Sequence, residues 1–193
     1  MTKKILQYYN LSHHVKLSQV ERKKSYIPRV SLLNRKKTRR MRNADDLRDR
    51  LLHLSNEKNS RFTVSPVLYF ESASFLEQAQ AFASTDILIS IHGAQLTGLP
   101  FMPRCSSLLE IFPFQYQLPA FYGGLASAAN ISYHFVTFEN HTPEFDLISR
   151  RKNQSQAIIV RSQNYCLPVE NISNLILQLV DEWKSCVQNH NFE

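Results

Sequence analysis

Apolar and polar positions change period several times along the chain, and the changes mark alternating strands and helices. Val30-Ser31-Leu32-Leu33 is a short apolar run of strand length. Asn43 stands where a helix cap belongs, with Asp46 three residues on, a variant of the capping box. Leu47, Leu51, Leu52 and Leu54 then form an apolar stripe at helical spacing. Phe62 to Tyr69 reads as the next strand, with Pro66 marking a break or an edge. Ser74-Phe75-Leu76-Glu77 is a capping box that opens a helix through Ala83. Asp86 to Ile91 is a continuous apolar run after its first residue, the pattern of a central parallel strand buried on both faces.

The alternation continues beyond it. His92-Gly93-Ala94 is a tight turn, with a short helix from about Gln95. Ser107 to Phe112 is a second buried strand, Pro119 to Ala129 a helix, and Tyr133 to Phe138 a strand. Residues 139–155 are polar and loop-like, Gln156 to Val160 is a last strand, and Val169 to Val187 is an amphipathic helix. This succession predicts an α/β fold with a mostly parallel sheet and helices on both faces. Residues 1–29 show no period and read as an irregular lead-in, the remnant of a preceding domain, while 30–193 form one unit. Ligands of such sheets lie beyond the carboxyl ends of the strands. The positions just after Ile91 and at the end of the Leu108–Glu110 strand are therefore the ones to inspect.

Composition narrows this picture without overturning it. The 193 residues, 43% apolar and 20% charged, suit one α/β domain rather than a disordered chain. The net charge of +7 is concentrated. Arg22, Lys23, Lys24 and Arg29 precede a denser run of Arg35, Lys36, Lys37, Arg39, Arg40 and Arg42. Such a run fits nucleic acid, anionic lipid or a nucleotide diphosphate, and equally a solvated basic face. Cys105, Cys166 and Cys186 have no zinc-finger spacing. One pair could join in an oxidising lumen, but the sequence does not choose it. Sequons at Asn10, Asn130, Asn140, Asn153 and Asn171 lean towards a secretory setting, although chance also produces them. No signal-peptide pattern or membrane span is visible, so a lumenal protein would need a targeting segment that this stretch does not display.

Three groups of residues could carry chemistry. His92-Gly93-Ala94 ends a buried strand and opens a helix. A glycine lets backbone approach a ligand, a helix start offers unpaired N–H groups to phosphate, and an imidazole can donate to a phosphate oxygen. A plain strand-to-helix turn would use the same residues. Glu110 places a carboxylate inside an apolar strand, where it must be paired or must serve a ligand such as the hydroxyls of a ribose. Arg35 and Arg39 follow the Val30 strand and would reach the same edge, and arginine forks suit phosphate.

In order and spacing these blocks resemble glycosyltransferase family 61, which includes plant β-1,2-xylosyltransferases and arabinosyltransferases and animal O-linked GlcNAc transferases of the secretory pathway. The resemblance rests on Arg35, Arg39 and Asn43, then Ser74-Phe75-Leu76-Glu77-Gln78, then His92-Gly93-Ala94-Gln95-Leu96-Thr97 with Phe101, then Glu110-Ile111-Phe112-Pro113. Tyr122 and Tyr133 fall where aromatic positions recur. The family often has Gly where Gln95 stands and Asn where Gly98 stands. The resemblance implies a GT-B enzyme of two Rossmann-like domains, of which this chain is the C-terminal, donor-binding one. It implies inverting, metal-independent transfer from a UDP-sugar (UDP-xylose, UDP-arabinose or UDP-GlcNAc) to a glycan or glycoprotein acceptor. No cofactor is implied, and the setting is the Golgi or endoplasmic reticulum lumen, with any membrane link through an anchor outside this stretch. His92, Gly93, Ala94 and Thr97 would hold the diphosphate, Glu110 the ribose, and Arg35 and Arg39 would offset phosphate charge. The catalytic base would belong to an N-terminal acceptor domain that is essentially absent here.

Two other readings stand beside this one. The chain could bind nucleotide without turnover, since transfer needs both substrates held in line. It could instead be a basic nucleic-acid-binding protein, although Arg35–Arg42 lacks interleaved aromatics and only Tyr8, Tyr9 and Tyr26 lie upstream. No Walker A loop, Gly-x-Ser-x-Gly elbow or GxGxxG fingerprint is present.

Overall fold

A computed structural model of the chain describes residues 27–57, 62–113, 116–137, 162 and 164–189. Most of the lead-in, the 139–155 loop, the Gln156–Val160 strand and the sequons at Asn10, Asn140 and Asn153 lie outside the described residues. Every strand pairing among the described residues is parallel. The elements are β1 (Arg29–Asn34), α1 (Ala44–Asn56), β2 (Thr63–Val64), β3 (Leu68–Tyr69), α2 (Phe75–Ala83), β4 (Ile87–Ile91), a 3-10 helix (Ala94–Phe101), β5 (Ser107–Phe112), α3 (Pro119–Ala128), β6 (Ser132–Thr137) and α4 (Val169–Asn189). The sheet order is β2-β1-β4-β5-β6, with β3 also pairing β1. Pro66 has no N–H to give a ladder, and it splits one expected strand into β2 and β3 on the same neighbour.

The apolar runs become the middle of this sheet. All five residues of β4 and all six of β5 are buried. Alternate residues feed two cores. Val30, Leu32, Ile87, Ile89, Leu109 and Ile111 pack under α1 and α4. Leu33, Leu88 and Leu108 pack under α2, the 3-10 helix and α3. Helices therefore cover both faces, as the alternation of periods predicts. A disulfide between Cys105 and Cys186, 81 residues apart, ties the turn before β5 to the end of α4.

Two local expectations change. Asn43 sits at the N-cap of α1, but its side chain does not cap it. Its amide pairs instead with the backbone of Leu167, donating to the carbonyl at 2.9 Å and accepting from the N–H at 2.8 Å. A long-range backbone pair thus outcompetes the local cap. The turn after β4 continues as a 3-10 helix with Pro100 inside it. Gly98 packs where an added Cβ would lie 2.1 Å from the Phe82 ring, so a larger residue does not fit there. The Ser74–Glu77 capping box forms as expected, Ser74 N–H donating to Glu77 at 2.7 Å and Glu77 N–H to Ser74 Oγ at 3.3 Å.

At the amino-terminal edge, Asp86 is fully buried and accepts from the Arg29 backbone N–H at 2.9 Å and from its guanidinium at 3.4 Å. Burial pushes its carboxyl up to about 6, while the Arg29 charge and hydrogen bonds from Arg29 and Trp183 pull the other way.

Candidate functional site

The order β2-β1-β4-β5-β6 creates a switch point between β1 and β4. The chain leaves β1 towards α1, on one face of the sheet, and leaves β4 towards the 3-10 helix, on the other. The two loops leave on opposite faces at the carboxyl edge, and in open α/β sheets the crevice at such a switch point is where ligands bind. Arg35 to Arg40 lie on the β1 side of it and His92 to Ala94 on the β4 side.

Asn34 shapes the β1 side. It is fully buried at the end of β1. Its oxygen accepts from Arg35 N–H at 2.8 Å and Met41 N–H at 2.9 Å, and its amide donates to Met41 carbonyl at 3.0 Å. One side chain thus pins both ends of the basic loop. Within that loop Arg39 is nearly buried and adopts φ 57, a left-handed conformation that costs a non-glycine residue on the order of 1 kcal/mol. Its guanidinium donates to the His92 carbonyl at 3.0 Å, which ties one side to the other. Burial pushes the Tyr165 phenol above its ordinary range, and the Arg39 charge opposes that shift.

Gly93 receives both arginines. Its φ of 166 is extended backbone open to any residue, so the tight-turn rationale for glycine does not hold here. The reason is space: an added Cβ would lie 2.8 Å from an Arg35 guanidinium nitrogen and 3.4 Å from one of Arg39. Two cations therefore converge on one bare stretch of backbone. Among the described residues Arg35 has no carboxylate partner.

The 3-10 helix begins at this point. Leu96 N–H turns back to the Gly93 carbonyl at 3.0 Å. The amides of the first turn, at Ala94 and Gln95, precede the intrahelical ladder and face the crevice end. Ala94 and Thr97 lie on the exposed rim, and Thr97 donates its hydroxyl to the Ala94 carbonyl at 2.9 Å. Gln95 folds under the turn, its amide on Ser90 Oγ at 2.9 Å and near the Leu33 carbonyl at 3.5 Å.

His92 and Glu110 come together behind the turn. His92 N–H extends the β4–β5 ladder to the Ile111 carbonyl at 2.9 Å. Its Nδ1 lies 2.7 Å from Glu110 Oε1, while Tyr133 donates its hydroxyl to Glu110 Oε2 at 2.5 Å. The ring packs against Phe112, Tyr116 and Tyr122, with centroids 5.0, 5.5 and 5.3 Å away. Glu110 has no exposed area. Burial, then the bond and charge of Glu110, push the Tyr133 phenol well above its ordinary range. The carboxyl group expected to meet ribose hydroxyls is thus enclosed, with a hydrogen-bond partner already on each oxygen.

The structure therefore brings Arg35, Arg39, His92 and Gly93 into direct contact. It sets Ala94 and Thr97 on the rim and Glu110 behind the histidine. The sequence reading missed Asn34 as the brace of the basic loop. It named Tyr133 only as a recurring aromatic. Gly123, packed so that an added Cβ would sit 3.0 Å from the Tyr133 ring, was the available sign that this ring is held closely. A cavity of about 580 Å³ lies elsewhere, at the amino-terminal edge of β5 and β6, lined by Arg104, Asn130, Ser132 and the disulfide. It meets the crevice residues only through Tyr133, which lines it too.

Comparison with known proteins shows what the chain is similar to. The sequence model described as Glycosyltransferase 61 matches residues 1–109. The EGF domain-specific O-linked N-acetylglucosamine transferase of Drosophila melanogaster is 32% identical over 125 residues, covering 60% of this chain and 22% of that protein. Its Mus musculus counterpart is 28% identical over 155 residues, covering 79% of this chain and 28% of that protein. The protein O-linked-mannose beta-1,4-N-acetylglucosaminyltransferase 2 of Canis lupus familiaris is 29% identical over 76 residues, 38% of this chain and 13% of that protein. The chain thus spans between 13% and 28% of the length of these relatives.

Proposed function

The chain belongs to the glycosyltransferase 61 family, and from that premise we propose that it forms the donor-binding domain of a GT-B glycosyltransferase. The observation that carries this reading is the convergence of Arg35 and Arg39 on Gly93 at the switch point of a parallel sheet. A nucleoside diphosphate sugar, UDP-linked, places its diphosphate between these guanidiniums and the first amides of the 3-10 helix, with Thr97 at the rim. Arginine forks match phosphate oxygens in number and direction, and a helix start adds aligned donors. The same donors stabilise negative charge on the departing diphosphate without a metal ion. An acceptor hydroxyl then displaces it with inversion, using a base from the second domain. Exposed Leu118, Phe121 and Phe135, 46%, 66% and 46% accessible, lie beside this edge and support a second body seated against it. The acceptor is a glycan or protein, and the compartment is the Golgi or endoplasmic reticulum lumen, which agrees with the Cys105–Cys186 bond.

The catalytically silent alternative keeps the same binding site and loses only turnover, so binding is the first test. UDP is titrated calorimetrically into the purified chain with EDTA present. Saturable binding that survives the chelator is expected. Arg35→Ala and Arg39→Ala should each weaken it about tenfold or more, the worth of a charge-assisted phosphate contact. A folded chain that binds no UDP, or binds RNA with steep salt dependence instead, contradicts the reading.

A further inference from the structure

Glu110 is a poor ligand and a good brace. We propose that Tyr133 and Glu110 are positioning residues, a buried hydrogen-bonded rail that fixes the tautomer and orientation of His92. This inference rests on the donor-site reading for its purpose, but its geometry can be tested without any ligand.

Tyr133 has one O–H, and it points at Glu110 Oε2. The carboxylate answers on its other oxygen, Oε1, 2.7 Å from His92 Nδ1. With the carboxylate ionised, Oε1 can only accept, so the proton of that bond sits on Nδ1. Nε2 is then the nitrogen left for a ligand, and it donates to a phosphate oxygen when the ring carries both protons, with Glu110 balancing the charge. Three aromatic rings hold the imidazole plane, and strand pairing sets the positions: β4–β5 puts Ser90 in register with Glu110, and β5–β6 puts Leu108 in register with Tyr133. Tyr133 and Glu110 therefore share a sheet face on adjacent strands, one pleat repeat apart. An ionised carboxylate with no exposed area is costly unless its bonds are kept, and this arrangement keeps one on each oxygen.

The variants Glu110→Gln and Tyr133→Phe separate bracing from ribose binding. Histidine side-chain nitrogen NMR is recorded on the free chain at about pH 8.5, where an ordinary imidazole is neutral. The wild-type ring should carry its proton on Nδ1. In Glu110→Gln, Tyr133 still donates to the amide oxygen, so the amide N–H faces Nδ1 and the proton moves to Nε2. Tyr133→Phe removes only a hydroxyl and frees Glu110 to swing away from Nδ1, so it should give a mixture of tautomers, and it serves if Glu110→Gln fails to fold. UDP and 2′-deoxy-UDP are then titrated into each. A brace predicts about tenfold weaker binding of both nucleotides in Glu110→Gln, with the ratio between them unchanged.

A ratio that collapses to one in Glu110→Gln would show that Glu110 touches the ribose, and overturns the proposal. So does a His92 tautomer that ignores both variants. If the tautomers behave as described and the wild type binds no UDP, the rail stands and the donor-site reading falls.

Discussion

The two edges of the sheet handle buried charge in opposite ways. At the amino-terminal edge Asp86 is paired on the spot with Arg29, and the Cys105–Cys186 bond lies along the same edge. At the carboxyl-terminal edge Arg35 and Arg39 crowd towards Gly93, Arg39 in a left-handed conformation, and Arg35 has no carboxylate among the described residues. One edge is arranged to hold the fold together. The other gathers positive charge around bare backbone, an arrangement that gains most when an anion arrives. Stability and binding should therefore respond to different substitutions.

Reducing the disulfide, or Cys186→Ser, should cost the most. Opening a crosslink across 81 residues removes about 4 kcal/mol by chain entropy, read as a lower denaturant midpoint. UDP affinity of the molecules that stay folded should not change. A large loss of affinity without loss of stability would blur the division between the edges.

Asp86→Asn comes next. Because burial raises the folded-state carboxyl from 3.8 to about 6, the folded chain holds this proton more tightly than the unfolded one. The stabilisation is fully present below about pH 4 and is lost as pH rises through about 6, a change of about 3 kcal/mol at 1.36 kcal/mol per pH unit. Urea unfolding across that window should show the fall in the wild type and a flatter profile in Asp86→Asn.

Arg35→Ala sharpens the contrast from the other side. About tenfold weaker UDP binding should come with a melting temperature close to the wild type, because Arg35 is only partly buried and holds no ion pair among the described residues. Gly93→Ala should give the smallest effect. Its backbone is extended and accepts alanine, but the new methyl pushes on an Arg35 nitrogen now 2.8 Å from that position. A drop in affinity of about threefold with unchanged stability is expected, worth under about 1 kcal/mol.

Much of the fold could be read from the pattern of side chains because burial on both faces leaves a plain mark. The runs Ile87–Ile91 and Ser107–Phe112 are continuous because neither face meets water. The cap at Ser74 is local and survives folding. The cap expected at Asn43 is lost to Leu167, a partner far away in sequence that local pattern cannot reveal. The site follows the same rule. That Arg35, Arg39, His92 and Gly93 meet at the strand ends was legible. The bracing by Asn34 and the chain from Tyr133 through Glu110 depend on register between strands, which spacing alone does not give. Glycine at position 93 was legible, but its reason was not: the constraint is the approach of two guanidiniums rather than backbone torsion.

The donor site is tested most directly by mapping UDP onto the chain by backbone amide NMR, with EDTA present. The largest shifts should fall at Arg35, Arg39 and His92 to Thr97, while Arg29, Asp86 and the Arg104–Asn130 cavity stay still. Shifts centred on that cavity, or none at the β1–β4 crevice in a folded chain, would contradict the donor-site reading.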